Sequence, residues 1–160
     1  YEAVATYTSR LAEKLRRYHQ VAATLTVFIW TNKYERGEYA GRTCYSLTAE
    51  LPMATHDTGA LIREAGVLLR RLYQPSLSYK KAGVLAGELR PAGAVQGNLF
   101  LPDPQTERKS SLLQAVDQLN RRYGRRTVQY AACGTRPAWS LKAEKRSPRY
   151  TTRLEEILVV

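Results

Sequence analysis

Few of the residues that usually announce chemistry occur in this chain. Cysteine appears only at Cys44 and Cys133, far apart and with no Cys or His at ligand spacing, which excludes a disulfide framework and a finger-type zinc site. A reducing cytoplasm is the expected compartment. The two histidines, His19 and His56, stand beside no nucleophile, and each is expected at the surface or at a helix end. No window reaches the roughly 20 apolar residues of a membrane span, and no signal peptide precedes the first helical pattern. Converging carboxylates of the kind that two-metal phosphoryl transfer needs are missing; the adjacent Glu155 and Glu156 lie in a tail and read as solvated charges. No Gly-rich phosphate loop precedes a helix, and no Ser or Cys sits in a nucleophile context. The expectation is a segment without catalysis or cofactor of its own.

Acidic residues are scarce relative to basic ones. Against 14 Asp and Glu stand 25 Lys and Arg, a formal charge of +11 and a pI near 9.9, so a polyanion, nucleic acid above all, is the expected partner. Eighteen of the 25 are Arg, whose guanidinium fork matches phosphate oxygens bidentately. At 160 residues the chain suffices for one domain, or a small domain with an appendage. It begins with Tyr1 rather than Met, which suggests the back end of a longer protein.

Along the chain, Val4, Tyr7, Leu11, Leu15 and Tyr18 recur at helical spacing and predict a helix over 2–18, with Arg10, Lys14, Arg16 and Arg17 mostly on the rest of its surface. Ala23, Leu25, Val27 and Ile29 alternate in a β-branched run and predict a strand over 22–31. Tyr45, Leu47, Ala49 and Leu51 predict its hairpin partner over 43–51. Asp57 or Thr58 can cap a helix reaching Tyr73, with Leu61, Ala65, Leu68, Leu69 and Leu72 inward. A third strand follows over 79–89. The Pro- and Gly-rich stretch 90–109 reads as a connector. Beyond it Ser110 or Ser111 starts a helix carrying Leu112, Leu113, Val116 and Leu119 inward to Gly124, and a short strand is predicted over 127–132. The expected class is α+β: a mixed or antiparallel sheet backed by two helices over 1–90, a linker over 91–109, and a small α/β subdomain over 110–160.

Two features point toward partners. Basic residues at strand ends and helix surfaces, Arg36, Arg42, Arg70, Arg71, Lys80 and Lys81 and then Arg121, Arg122, Arg125 and Arg126, suit backbone phosphates, which position a protein without reading sequence. The dense run 121–126 has an alternative account, since a helix C-terminus favours cations through its dipole. Within the connector, Gln96-Gly97-Asn98-Leu99-Phe100 sets two large apolar side chains where no amphipathic period explains them. An extended docking peptide anchored by Leu99 and Phe100 accounts for them; so would a fold-back that caps the neighbouring core.

Several stretches resemble the C-terminal part of the UmuC-type Y-family translesion DNA polymerases: Leu11-Ala12-Glu13-Lys14-Leu15-Arg16, Phe28-Ile29-Trp30-Thr31, Tyr79-Lys80-Lys81-Ala82-Gly83-Val84, the pentapeptide at 96–100, and above all Ser147-Pro148-Arg149-Tyr150-Thr151-Thr152-Arg153, preceded by Asn120-Arg121-Arg122-Tyr123-Gly124 and Trp139. The resemblance covers essentially the whole chain, in order. It implies a little-finger-like domain over 1–90 that grips template-primer DNA, with a further first strand expected just before Tyr1. It also implies a bacterial, nucleoid-associated location and an SOS DNA-repair role. Nucleotidyl transfer, with its carboxylates and Mg²⁺, would belong to the parent protein. The pentapeptide falls at the family's sliding-clamp-binding motif, so Gln96 would take the polar subsite and Leu99 and Phe100 the apolar pocket, with Gly97 in place of the more usual Leu. A competing reading, also implied by the family, is an interaction module for UmuD′-like and RecA-like proteins through Trp139, Arg149, Tyr150 and Arg153, residues that could equally pack the C-terminal part onto the rest. An independent RNA-binding domain is disfavoured, because the predicted strands carry no aromatic pair of the RNP type.

Overall fold

The computed structural model describes residues 1–31, 44–94, 106–135, 139 and 147–157. Among the described residues six main elements follow one another: α1 (Glu2–Arg17), β1 (Gln20–Thr31), β2 (Cys44–Thr55), α2 (Thr58–Leu72), β3 (Tyr79–Pro91) and α3 (Thr106–Tyr123). The class is α+β, as expected. The strands form one antiparallel sheet in the order β2-β1-β3, with Val27 opposite Leu47 on one side and opposite Val84 on the other. β1 is central because its alternation is the most apolar: Leu25, Val27 and Ile29 are buried and face the helices, while Thr24, Thr26, Phe28 and Trp30 take the other face.

α1 and α2 cover the apolar face, and Val4, Ala12 and Leu15 meet Leu61, Ala65 and Leu68 over Leu25, Val27 and Leu51. Asp57 caps α2, accepting from the backbone N–H of Gly59 at 2.8 Å and of Ala60 at 3.4 Å. Glu2 at the start of α1 and Lys14, Arg16 and Arg17 at its end suit the helix dipole. His19, at φ 53°, follows the helix and turns the chain into β1, its carbonyl accepting from the Ala92 N–H at 2.8 Å.

Four details depart from the sequence reading. The buried face of α1 is built largely from small residues, Ala5, Thr8 and Ala12, because close helix–helix approach leaves little room; Tyr18 lies past the helix and is exposed. A register shift between Ala22 and Thr24 puts Ala22 into the core in place of Ala23. α3 starts at Thr106 rather than Ser110, and of Leu112, Leu113, Val116 and Leu119 only Leu113 is buried, because the helix meets the body along a different line. No strand forms over 127–132: Val128 gives its backbone N–H and C=O to the Asn120 side-chain amide, both at 2.9 Å, and a 3₁₀ turn follows at Ala131–Cys133. One amide thus replaces the ladder partner that a strand would need. Cys133 packs with Ala5 and Ile62 in a second small cluster.

Candidate nucleic-acid interface

A groove of about 860 Å³ runs between α1, the middle of β3 and the segment that follows α3. Its α1 wall carries Arg10, Lys14 and Arg17, which share a face because they are four and three residues apart. Ala82 to Leu85 of β3 form its side. Its third wall exists because Gly124, at φ +105°, stops α3 and turns the chain back. Arg125 and Arg126 thereby join Arg121 on the same groove. Arg126 sits at φ 76°, held there by Nε donating to Gln129 Oε1 at 2.9 Å and Nη2 donating to the Gly134 carbonyl at 3.0 Å. Gln129 donates to the same carbonyl at 2.9 Å.

Six cations therefore border one groove, and they differ in what already satisfies them. Arg17 pairs with Glu13 at 2.7 Å, Arg126 is spent on its own loop, and the Arg10 guanidinium stands 6.0 Å from the Tyr7 ring centroid. Lys14, Arg121 and Arg125 are exposed and make no ion pair among the described residues. Three uncompensated charges facing one trough make an anion site with little positional demand, suited to a run of phosphates. Cys133 also lines the groove; burial pushes its thiol up, so it adds no charge.

The other sequence-derived candidates lie elsewhere. Arg70 and Arg71 end α2, and Lys80 and Lys81 open β3 next to Ala82, with Lys81 Nζ 5.7 Å from the Trp30 ring centroid; none of the four lines the groove. Tyr73 and Tyr79 hold those two ends together, their rings 5.5 Å apart and Tyr79 Oη accepting from the Gln74 N–H at 2.8 Å. Arg122 does not line the groove and lies 5.4 Å from the Tyr123 ring centroid. Arg36, Arg42, Gln96, Leu99 and Phe100 fall outside the described residues. Trp139 packs on Tyr7 with ring centroids 5.6 Å apart. The segment around Arg149 and Tyr150 closes on Glu156, whose carboxylate accepts from the Arg149 N–H at 2.6 Å and pairs with Arg153 at 3.4 Å; Tyr150 remains exposed.

The α1 wall was missed as a site by sequence reasoning. Its signal was available in the spacing of Arg10, Lys14 and Arg17, but nothing local says that this stripe faces a second basic segment rather than water. Among the described residues no three His, Cys, Asp or Glu side chains gather to hold a metal ion, and no helix is long and apolar enough to cross a membrane.

A three-stranded antiparallel sheet with two helices on one face and a cation-lined groove beside its β3 edge defines a basic α+β module. Residues 1–99 match the model of the impB/mucB/samB family C-terminal domain, and residues 110–160 match that of a domain of unknown function, DUF4113. The chain belongs to the impB/mucB/samB family. It is 34% identical over 160 residues to Protein UmuC of Salmonella typhimurium strain LT2, an alignment covering 99% of this chain and 37% of that protein. It is 33% identical over 159 residues to Protein ImpB of Salmonella typhimurium, covering 98% and 36%. Protein MucB of Escherichia coli is 31% identical over 153 residues, covering 94% and 35%. The chain thus spans little more than a third of the length of these relatives, and the UmuC-type resemblance of its motifs is borne out.

Proposed function

We propose that this chain is the non-catalytic C-terminal part of an error-prone translesion DNA polymerase, which grips template-primer DNA and tethers the enzyme to the sliding clamp. The observation that carries the grip is the convergence of Lys14, Arg121 and Arg125, none of them ion-paired among the described residues, on one groove. Phosphate contacts of this kind hold a duplex without regard to its sequence, which is what bypass of arbitrary damaged sites demands. Nucleotidyl transfer, with its Mg²⁺, then belongs to the rest of the parent protein, an assignment that family membership supports. On this reading residues 1–90 are the DNA-gripping unit, 91–109 the tethering linker and 110–160 a C-terminal unit that completes the groove. The tether rests on Gln96, Leu99 and Phe100 and on their place in the family pattern.

Titration of primed duplex DNA at several salt concentrations tests the grip: affinity should fall linearly on a log–log plot and be indifferent to sequence. Salt-insensitive or absent binding would overturn it. Changing Leu99 and Phe100 to Ala should abolish binding to a purified bacterial sliding clamp and leave DNA binding intact; equal loss of both would show that the pair caps the core. Nucleotide incorporation by the chain alone with Mg²⁺ would overturn the non-catalytic assignment. Recruitment of UmuD′-like and RecA-like regulators remains the second reading, with the exposed Tyr150 and the adjoining Arg149 and Arg153 as contacts; Trp139, packed on Tyr7, would serve it indirectly by placing that segment.

A further inference from the structure

α3 leaves most of its apolar surface uncovered. Leu113 is 5% exposed, whereas Leu112 is 64%, Leu119 42% and Tyr123 63% exposed, with Val116 half-buried among them. At about 100° per residue, Leu112, Val116, Leu119 and Tyr123 fall within about 60° of one another, and their 4-3-4 spacing is that of a helix-pairing seam about 16 Å long. Leu113, Asp117 and Asn120, which meet the body, lie roughly 100° round the helix. The seam is therefore a second face, not the ragged margin of the packed one.

Its charge setting selects the kind of partner. Arg108 and Arg122 flank the seam on the side away from Asp117, and Arg122 leans over the Tyr123 ring at 5.4 Å. Asp117 is consumed by its ion pair with Arg16 and offers the seam no negative charge. A second copy of this chain would bring the same arginines to the same seam, on a molecule carrying +11 overall, so like-charge repulsion opposes self-pairing. A nucleic acid could meet the arginines but has no aliphatic ridge for Leu112 and Val116. We propose that this seam docks an amphipathic helix of another protein, with aliphatic residues at a and d and Glu or Asp beside them to meet Arg108 and Arg122.

The test uses the full chain and two labelled three-heptad synthetic helices, both with Leu at a and d, one with Glu at e and g and the other with Lys there, followed by fluorescence anisotropy at low and high salt. The acidic helix should bind in a salt-sensitive way and the basic one should not. Leu112→Ser with Leu119→Ser should weaken the acidic helix by about tenfold or more, with the thermal midpoint and binding of duplex DNA unchanged. Equal binding of both helices, no binding of the acidic one, or indifference to the Leu112 and Leu119 changes overturns the proposal. A dimer in sedimentation equilibrium that Leu119→Ser dissolves assigns the seam to a second copy and overturns it as well. Loss of cooperative unfolding in Leu112→Ser alone would show that the chain itself covers the seam, again against the proposal.

Discussion

Arg16 and Asp117, 101 residues apart in sequence, form a two-pronged ion pair: Nε to Oδ2 at 2.6 Å and Nη2 to Oδ1 at 2.7 Å. Their side chains are 9% and 16% exposed, and Arg16 Nη1 also donates to the His56 carbonyl and to Thr58 Oγ1, both at 2.9 Å. One guanidinium therefore joins α1 to the start of α2 and to α3. Removing it leaves Asp117 largely buried and unpaired and frees two acceptors at the α2 cap, which is costlier than losing a surface pair. Arg16→Met should lower unfolding stability by about 3 kcal/mol, read by urea denaturation. Asp117→Asn, which keeps one of the two acceptors and leaves the Arg16 bonds to His56 and Thr58 in place, should cost distinctly less; equal losses would mean that the Asp117 pair carries the whole effect and the α2 bonds add nothing.

Most of the sheet and α2 could be read in advance because their apolar residues obey one period each: Leu25, Val27 and Ile29 at two, Leu61, Ala65 and Leu68 at helical spacing. Arg16 could not, since it looks like Arg10, Lys14 and Arg17 in sequence and only its distant partner sets it apart. The failure over 127–132 has a similar cause. Val128 sits in a β-like run, but Asn120 satisfies its backbone from a helix, and no local pattern encodes that. α3 misled in another way: its apolar line of Leu112, Val116, Leu119 and Tyr123 is not the side that meets the body, where Leu113 stands with the polar Asp117 and Asn120, and periodicity alone does not say so. The groove is likewise a long-range product of α1, β3 and the turn at Gly124, so its Arg121, Arg125 and Arg126 were legible as basic residues but not as facing Lys14.

His56 should make stability depend on pH. Its Nδ1 is buried without a hydrogen-bond partner among the described residues, and burial first, then the Arg16 charge, hold its pKa below the ordinary 6.5; Asp57 and Asp117 oppose this more weakly. The unfolded chain therefore takes up this proton at higher pH than the folded one. Stability is full above about 6.5, declines as pH falls toward the depressed folded value, and levels off below it. Urea midpoints followed downward from about pH 7.5 should show that decline, and His56→Gln should flatten it. An unchanged slope in the variant would assign the effect to other groups.

The two thiols should differ sharply in reactivity. Cys44 is exposed at the start of β2, whereas Cys133 is buried and its thiol is held protonated by that burial. A thiol reagent should label Cys44 quickly and reach Cys133 only on unfolding, so Cys44→Ser should abolish the fast phase. A fast phase surviving that change would mean that the cluster around Ala5 and Ile62 opens readily.

Phe28 lies across Gly83 on the neighbouring strand, so close that a Cβ there would overlap the ring. Gly83→Ala should force the ring off the sheet and cost about 1 kcal/mol or more. In a double-mutant cycle with Phe28→Ala the penalty should largely vanish, because the obstructed ring is gone. Additive losses would show that the glycine is required by the backbone and not by Phe28.

The groove makes a prediction that separates its charges from one another. Lys14, Arg121 and Arg125 are free of ion pairs among the described residues, while Arg17 is paired with Glu13 and Arg126 is bound into its own loop. Each phosphate neutralised by a free cation releases condensed counterions, so replacing Lys14, Arg121 or Arg125 with Gln should flatten the salt dependence of duplex binding by about one unit of log–log slope each. Arg17→Gln should change the slope less, because its charge is already half spent. Arg126→Gln should act through shape, loosening the turn at Gly134 and lowering the thermal midpoint before it touches the slope. Binding measured over a fourfold or wider range of salt, on two unrelated duplex sequences, reads both quantities at once. If Arg17 and Lys14 contribute equally, the exposed Glu13 pair does not withhold Arg17 from phosphate, and the track runs along the whole α1 wall of the groove rather than between Lys14 and the turn after α3.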